Sequence, residues 1–157
     1  MLELGPSLEA SENSSAAASA AASSLPRLLV IDDDKLHRMI ICRVAAKAGF
    51  APAGAATYDE AATLVQDAAF DCITLDLSLG PHPGVEMVRR LAVVGCKTPI
   101  IVISGCDQVT CRETVKLAKS LNLNIWQSLP KPVDLALLRH WLERIKADPQ
   151  ITAVAAA

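Results

Sequence analysis

Four carboxylates, one hydroxyl and one lysine stand where apolar runs of this chain end. Asp32, Asp33 and Asp34 follow Leu28-Leu29-Val30-Ile31, and Asp76 follows Cys72-Ile73-Thr74-Leu75. Ser104 follows Ile100-Ile101-Val102-Ile103, and Lys131 lies in Ser128-Leu129-Pro130-Lys131-Pro132. Carboxylates crowded together repel one another, which raises their pKa values unless a cation compensates. A donor set made only of oxygen, with water available, suits a hard dication such as Mg²⁺. A hydroxyl and an ammonium opposite those acids would complete a seat for a phosphoryl group. The residue types therefore point to phosphate chemistry on an aspartate, assisted by Mg²⁺.

Such residues meet only if the elements carrying them lie side by side. Apolar runs alternate with helix signals, placing strands near 27–31, 51–55, 71–75, 99–103 and 124–128. Helices are expected near 34–48, 58–68, 84–94, 107–121 and 133–146. Nearly continuous apolar strands are those of a parallel sheet covered on both faces. Ala51-Pro52-Ala53-Gly54-Ala55 contains a proline, which cannot donate to a ladder, so it belongs at an edge. The fold class is then α/β: a flavodoxin-like, doubly wound, five-stranded parallel sheet of order 2-1-3-4-5. In such a sheet the ligand crevice opens at the carboxyl ends of the strands, where the order reverses. That point lies between the Asp32–Asp34 run and Asp76.

Composition bounds the rest. The 157 residues fit one domain with flanking segments, here 1–26, 27–146 and 147–157. Residues 1–26 are rich in Ala and Ser and have few large apolar side chains, so disorder is expected there. The tail 147–157 is expected to fray. With 15 basic and 17 acidic residues the formal net charge is -2, so no net positive charge exists to grip nucleic acid. No apolar run is long enough to span a membrane. The five cysteines form no CxxC pair and read as reduced cytoplasmic thiols, a zinc or redox site at Cys106 and Cys111 being the alternative. Asp34 reads as the cap of the first helix. His37, His82 and His140 fall in no motif and are expected to face solvent.

Together the run Leu28–Asp34, Leu75-Asp76-Leu77-Ser78-Leu79 with Gly84 downstream, Ile103-Ser104-Gly105 and Lys131-Pro132 resembles a response-regulator receiver domain of two-component signalling systems. The resemblance covers roughly 27–146. It implies that Asp76 is the phosphoacceptor. Asp33, Asp76 and the Ser78 backbone carbonyl would bind Mg²⁺, with Asp32 acting through water. Ser104 and Lys131 would each meet a phosphoryl oxygen, and the Lys131–Pro132 bond would be cis. The phosphodonor would be a sensor histidine kinase or a histidine phosphotransfer protein, docking on the first helix at Lys35, Arg38 and Ile41. Ile41 would be the apolar anchor, unless it faces the core. Since few residues follow the fifth helix, output would pass through contact with an unknown downstream protein, in the cytoplasm.

Where the family commonly carries an aromatic switch residue, this chain has Ser128. Trp126, two residues earlier, would share its strand face and could substitute. The positions two residues after Asp76 and two after Ser104 hold Ser78 and Cys106, neither an acid nor an amide. Two other readings stand beside the receiver. Ile31-Asp32-Asp33-Asp34 also resembles the start of haloacid-dehalogenase-type phosphatases, with Asp32 as nucleophile and Asp34 as general acid. The other is a receiver that serves only as a scaffold.

Overall fold

The computed structural model describes residues 25–150. Five strands pair in parallel: β1 (Arg27–Ile31), β2 (Ala51–Ala55), β3 (Cys72–Leu75), β6 (Ile100–Ser104) and β7 (Ile125–Pro130). Their order is β2-β1-β3-β6-β7, the 2-1-3-4-5 pattern expected once a small hairpin is set aside. That hairpin, β4 (Ser78–Leu79) with β5 (His82–Pro83), was not expected. The helices are α1 (Lys35–Lys47), α2 (Tyr58–Asp67), α3 (Gly84–Val93), α4 (Gln108–Ser120) and α5 (Leu135–Lys146). Pro52 lies on the edge strand β2, where its missing N–H costs no ladder bond on the open side. Most of the flanking segments expected over 1–26 and 147–157 lies outside the described residues.

Alternation along the strands divides the core in two. Leu29, Ile31, Ile73 and Leu75 face a layer with Ala61, Met87, Val88, Leu91 and Ala118, so α2, α3 and α4 cover that side. Leu28, Val30, Ile101 and Ile103 face Ile41, Ala45, Leu138, Leu142 and Ile145, so α1 and α5 cover the other. With helices on both faces, the central strands are buried along their length apart from Arg27 at the start of β1. Burial of this kind holds the strand ends, and hence the polar residues beyond them, in fixed positions.

Caps set where four of the helices begin. Asp34 accepts from the His37 amide at 3.0 Å, Thr57 from Glu60 at 3.1 Å, Asp107 from Thr110 at 2.9 Å and Asp134 from Leu137 at 3.1 Å. Helix α3 has no side-chain cap and begins at Gly84 instead. A methyl group on Gly84 would lie 2.7 Å from the Leu77 carbonyl oxygen and 2.8 Å from its Cα. Those are backbone atoms one residue past Asp76 and cannot swing aside. Gly84→Ala is therefore expected to destabilise the fold by about 1–3 kcal/mol, the usual cost of overpacking. Urea unfolding measures it, and an unchanged midpoint would show that the Leu77 segment yields freely.

Candidate functional site

The order reversal puts β1 and β3 side by side, with Leu28 abreast of Cys72 and Ile31 abreast of Leu75. Asp32 and Asp76, the next residue on each strand, are thereby neighbours. Their backbones are tied in as well, Asp76 N donating to the Ile31 carbonyl at 2.9 Å and Asp32 N to Ala55 at 3.1 Å. Asp32 and Asp76 are 1 % and 2 % exposed, whereas Asp33 is open to solvent. One oxygen from each of Asp32, Asp33 and Asp76 lies within 4.8 Å of the other two.

Local hydrogen bonds orient each carboxylate. Asp32 Oδ1 accepts from the Asp34 amide at 2.9 Å, and Asp76 Oδ1 accepts from the Ser78 amide at 3.0 Å. Both are turns in which an aspartate binds the backbone two residues on. Asp33 Oδ2 accepts from the Gly80 amide at 3.1 Å, linking the first loop to the β4–β5 hairpin. Gly80 has φ +57°, a left-handed conformation that glycine adopts without cost. The hairpin thus serves the site, although its short strands carry no periodicity that a sequence reading could detect.

Lys131 reaches the cluster from the loop after β7. Its Nζ lies 2.8 Å from Asp76 Oδ2 and 3.3 Å from Asp32 Oδ2, so one ammonium serves two buried acids. Burial pushes the Asp76 carboxyl above its ordinary range, more than the Lys131 hydrogen bond and charge pull it down. Burial also acts on Lys131 in the opposite sense, but its bonds to Asp76 and Asp32 prevail and hold its pKa above the usual lysine value. The Lys131–Pro132 bond is cis, as expected. Ser104, 4 % exposed, ends β6 beside β3, since Leu75 pairs with Val102. Its hydroxyl accepts from the Cys106 amide at 3.2 Å.

Asp32, Asp33, Asp76, Ser104 and Lys131 are therefore gathered at one end of the sheet. Three carboxylates with one member exposed fit a hard dication that keeps part of its water shell.

Several expectations need correction. Ile41 is 1 % exposed and packs in the layer under α1 and α5, so it anchors no partner. Of its expected companions Lys35 is exposed, while Arg38 Nη1 donates to the Asp32 carbonyl at 2.8 Å. The open apolar residues of α1 are Leu36 and Met39. Trp126 does not share a face with Ser128. A bulge lets Ile100 pair with Ile125 and Ile101 with Gln127, so Trp126 is the extra residue and packs in the α1–α5 layer. Ser128, abreast of Val102, instead lines a cavity beside α4.

His37 is not solvent-facing. Its Nδ1 bonds Asp32 Oδ2, and its Nε2 is buried without a partner. The signal was present in the sequence, because a residue three past a helix cap turns back toward the loop that precedes it. Cys106 and Cys111 are joined in a disulfide, while Cys42, Cys72 and Cys96 are free. Asp34 is engaged as the cap of α1, which disfavours it as the general acid of a phosphatase. Amide bonds from His37, and to a lesser degree Leu36, lower its pKa, whereas a general acid must hold its proton.

Comparison with known proteins agrees with this geometry. Residues 28–143 match the family described as the response regulator receiver domain. The regulatory protein VirG of Agrobacterium tumefaciens is 32 % identical over 119 residues, 76 % of this chain and 42 % of VirG. Response regulator MprA of Mycobacterium avium is 29 % identical, over 82 % of this chain and 56 % of MprA. The chain thus spans about half the length of these relatives. A response regulator from Colwellia psychrerythraea superposes with TM-score 0.68 at 26 % identity, covering 77 % of this chain and 96 % of that one. Another, from Burkholderia pseudomallei, was solved with a phosphorylated aspartic acid, calcium ion and citrate. It superposes with TM-score 0.64 at 25 % identity, covering 83 % of this chain and 71 % of that one.

Proposed function

The chain belongs to the response regulator receiver domain family, and on that premise we propose that Asp76 accepts a phosphoryl group in a two-component phosphorelay. The donor is a phosphohistidine of a sensor kinase or phosphotransfer protein, and the setting is the cytoplasm. Among the described residues no helix is long and apolar enough to cross a membrane. The observation that carries the reading is the buried Asp76 carboxylate, 2.8 Å from the Lys131 ammonium and clustered with Asp32 and Asp33.

An Asp76 oxygen attacks phosphorus as the bond from phosphorus to the donor nitrogen breaks, and that nitrogen keeps the electron pair. Phosphoryl transfer asks the protein for positioning and charge neutralisation more than for covalent chemistry. Lys131 then exchanges its bond with Asp76 for one to a phosphoryl oxygen, and Ser104 supplies a hydroxyl to another. Asp33, Asp76 and the Ser78 carbonyl would hold Mg²⁺, with Asp32 reaching it through water. A bound Mg²⁺ would neutralise charge on the transferring group. Kinase contact falls on the open face of α1 at Lys35, Leu36 and Met39, and output passes to a downstream protein by direct contact. Incubation with acetyl phosphate and Mg²⁺, followed by mass mapping, tests the assignment. A modified Asp76 supports it, and modification at Asp32 alone would overturn it.

The phosphoryl group is expected to persist. Hydrolysis needs a water held behind the phosphorus, flanked by Ser78 and Cys106. Ser78 is short, and a bridged cysteine offers no proton acceptor of use. A general base commonly contributes about 10²–10⁴-fold where one operates, and that factor is missing here. Decay of label from purified phosphoprotein should be slow, and Cys106→Glu should hasten it more than Cys111→Ala, which opens the same bridge. Equal decay in the two variants would show that the side chain at 106 does not set the lifetime.

A further inference from the structure

The Cys106–Cys111 bridge borders the phosphoryl site, and the Cys106 backbone also touches Ser104. Cys106 sits in the loop between Ser104 and the α4 cap Asp107, and Cys111 lies in the first turn of α4. The bridge spans a sequence separation of five residues and passes over the cap. The Cys106 amide holds the Ser104 hydroxyl at 3.2 Å. A fastened loop therefore fixes where the Ser104 oxygen sits, and with it the direction in which its O–H can donate.

Access is equally favourable. Cys106 and Cys111 are half-buried and line a cavity of about 670 Å³ together with Ser104, Gln108, Arg112 and Ser128. A small thiol fits such a space. Cytoplasmic disulfides are seldom structural and are commonly transient or redox-sensing. Closing a ring this short constrains the unfolded chain less than closing a long loop would, so the bridge's global effect is at the low end for a disulfide. A local constraint beside Ser104 is what it does supply.

We propose that Cys106 and Cys111 form a reversible redox modification site that governs phosphorylation of Asp76 by latching the loop behind Ser104. In the bridged form the loop is held and labelling is slow. Two molecules of a low-molecular-weight thiol open it. One thiolate attacks a bridge sulfur, the second resolves the mixed disulfide, both cysteines end protonated, and the two reductants leave as one small disulfide. Exchange with that small disulfide runs the steps backward and closes the latch. Reduction frees the Cys106 segment to shift, so the Ser104 hydroxyl can turn to the phosphoryl oxygen.

The proposal rests on Asp76 being the phosphoacceptor, and the test separates the two ideas. Full-length protein is equilibrated in buffers of reduced and oxidised glutathione, and its bridge is scored by intact mass after thiol alkylation. Labelling by acetyl phosphate and Mg²⁺ is then timed. The reduced form should label about tenfold faster, equivalent to about 1.4 kcal/mol of barrier. Cys111→Ser should label at the reduced rate in every buffer. Equal rates for bridged and reduced wild type, with Asp76 modified in both, would overturn the latch and leave the phosphoacceptor reading intact. A bridge that never forms in oxidising buffer would also overturn it. Absence of label on Asp76 in both forms would overturn the phosphoacceptor reading, and the latch with it.

Discussion

Asp76→Asn should take up no phosphoryl group from acetyl phosphate or from a kinase, and should do so in a domain that is no less stable. The amide has no nucleophilic carboxylate and withdraws one oxygen from the acidic cluster. It still offers an oxygen to the Ser78 amide, which the aspartate holds at 3.0 Å. Burial raises the Asp76 pKa, so the ionised side chain is harder to keep in the fold than in the unfolded chain. For an acid raised in this way the cost is absent below the unfolded pKa of about 3.9 and grows as pH climbs through the folded value. Neutral asparagine escapes it. In Mg²⁺-free buffer at neutral pH the unfolding midpoint of the variant should equal or exceed that of wild type, and the advantage should vanish in acid. Label retained on residue 76 would refute the assignment, and a lower midpoint at neutral pH would refute the account of its burial.

Asp33→Ala and Asp34→Ala should fail in opposite ways although the residues are adjacent. Asp33 lies in the three-carboxylate cluster and accepts from the Gly80 amide at 3.1 Å. Its loss should weaken Mg²⁺ binding by at least about 10–100-fold, a range that even outer-shell partners of a metal can command. Asp34 is committed to the His37 amide at the start of α1. Its loss should cost about 1 kcal/mol of stability and leave Mg²⁺ affinity near that of wild type. Titration calorimetry and urea unfolding on both variants give the crossed pattern. Equal affinities would mean that the roles are assigned the wrong way round.

How far the sequence is legible depends on whether a feature is local. Strands expected at 27–31 and 51–55 coincide with Arg27–Ile31 and Ala51–Ala55, because their apolar composition and edge proline are properties of the segments themselves. The site was readable for a related reason. Alternation of elements implies a parallel sheet and the proline puts β2 at its edge, and the resulting order brings Asp32 and Asp76 together at the carboxyl end of the sheet. What escaped notice depends on contacts across the chain. Trp126 reads as a neighbour of Ser128 until one inserted residue in β7 reverses its side. Ile41 fits both an open and a closed face of α1, and only packing against α5 decides between them. His37 is the exception, a local feature left unread: Asp34 fixes where α1 begins and so turns it inward. The Cys106–Cys111 bridge needs the first turn of α4 to lie back over the preceding loop, a geometry that spacing leaves open.

The bulge in β7 also decides which instrument can watch this protein work. The chain holds two tryptophans, Trp126 and Trp141. Both pack in the layer under α1 and α5, and Trp141 has the Arg144 guanidinium 5.3 Å from its ring centroid. Neither lines the cavity beside Ser104 and Ser128. Intrinsic emission will therefore follow the loosening of that layer and should stay almost silent as a cation or phosphoryl group arrives. A fluorescent reporter of the site has to be installed, and Ser128, exposed and on the α4 side of the sheet, is the position the fold leaves open for an indole.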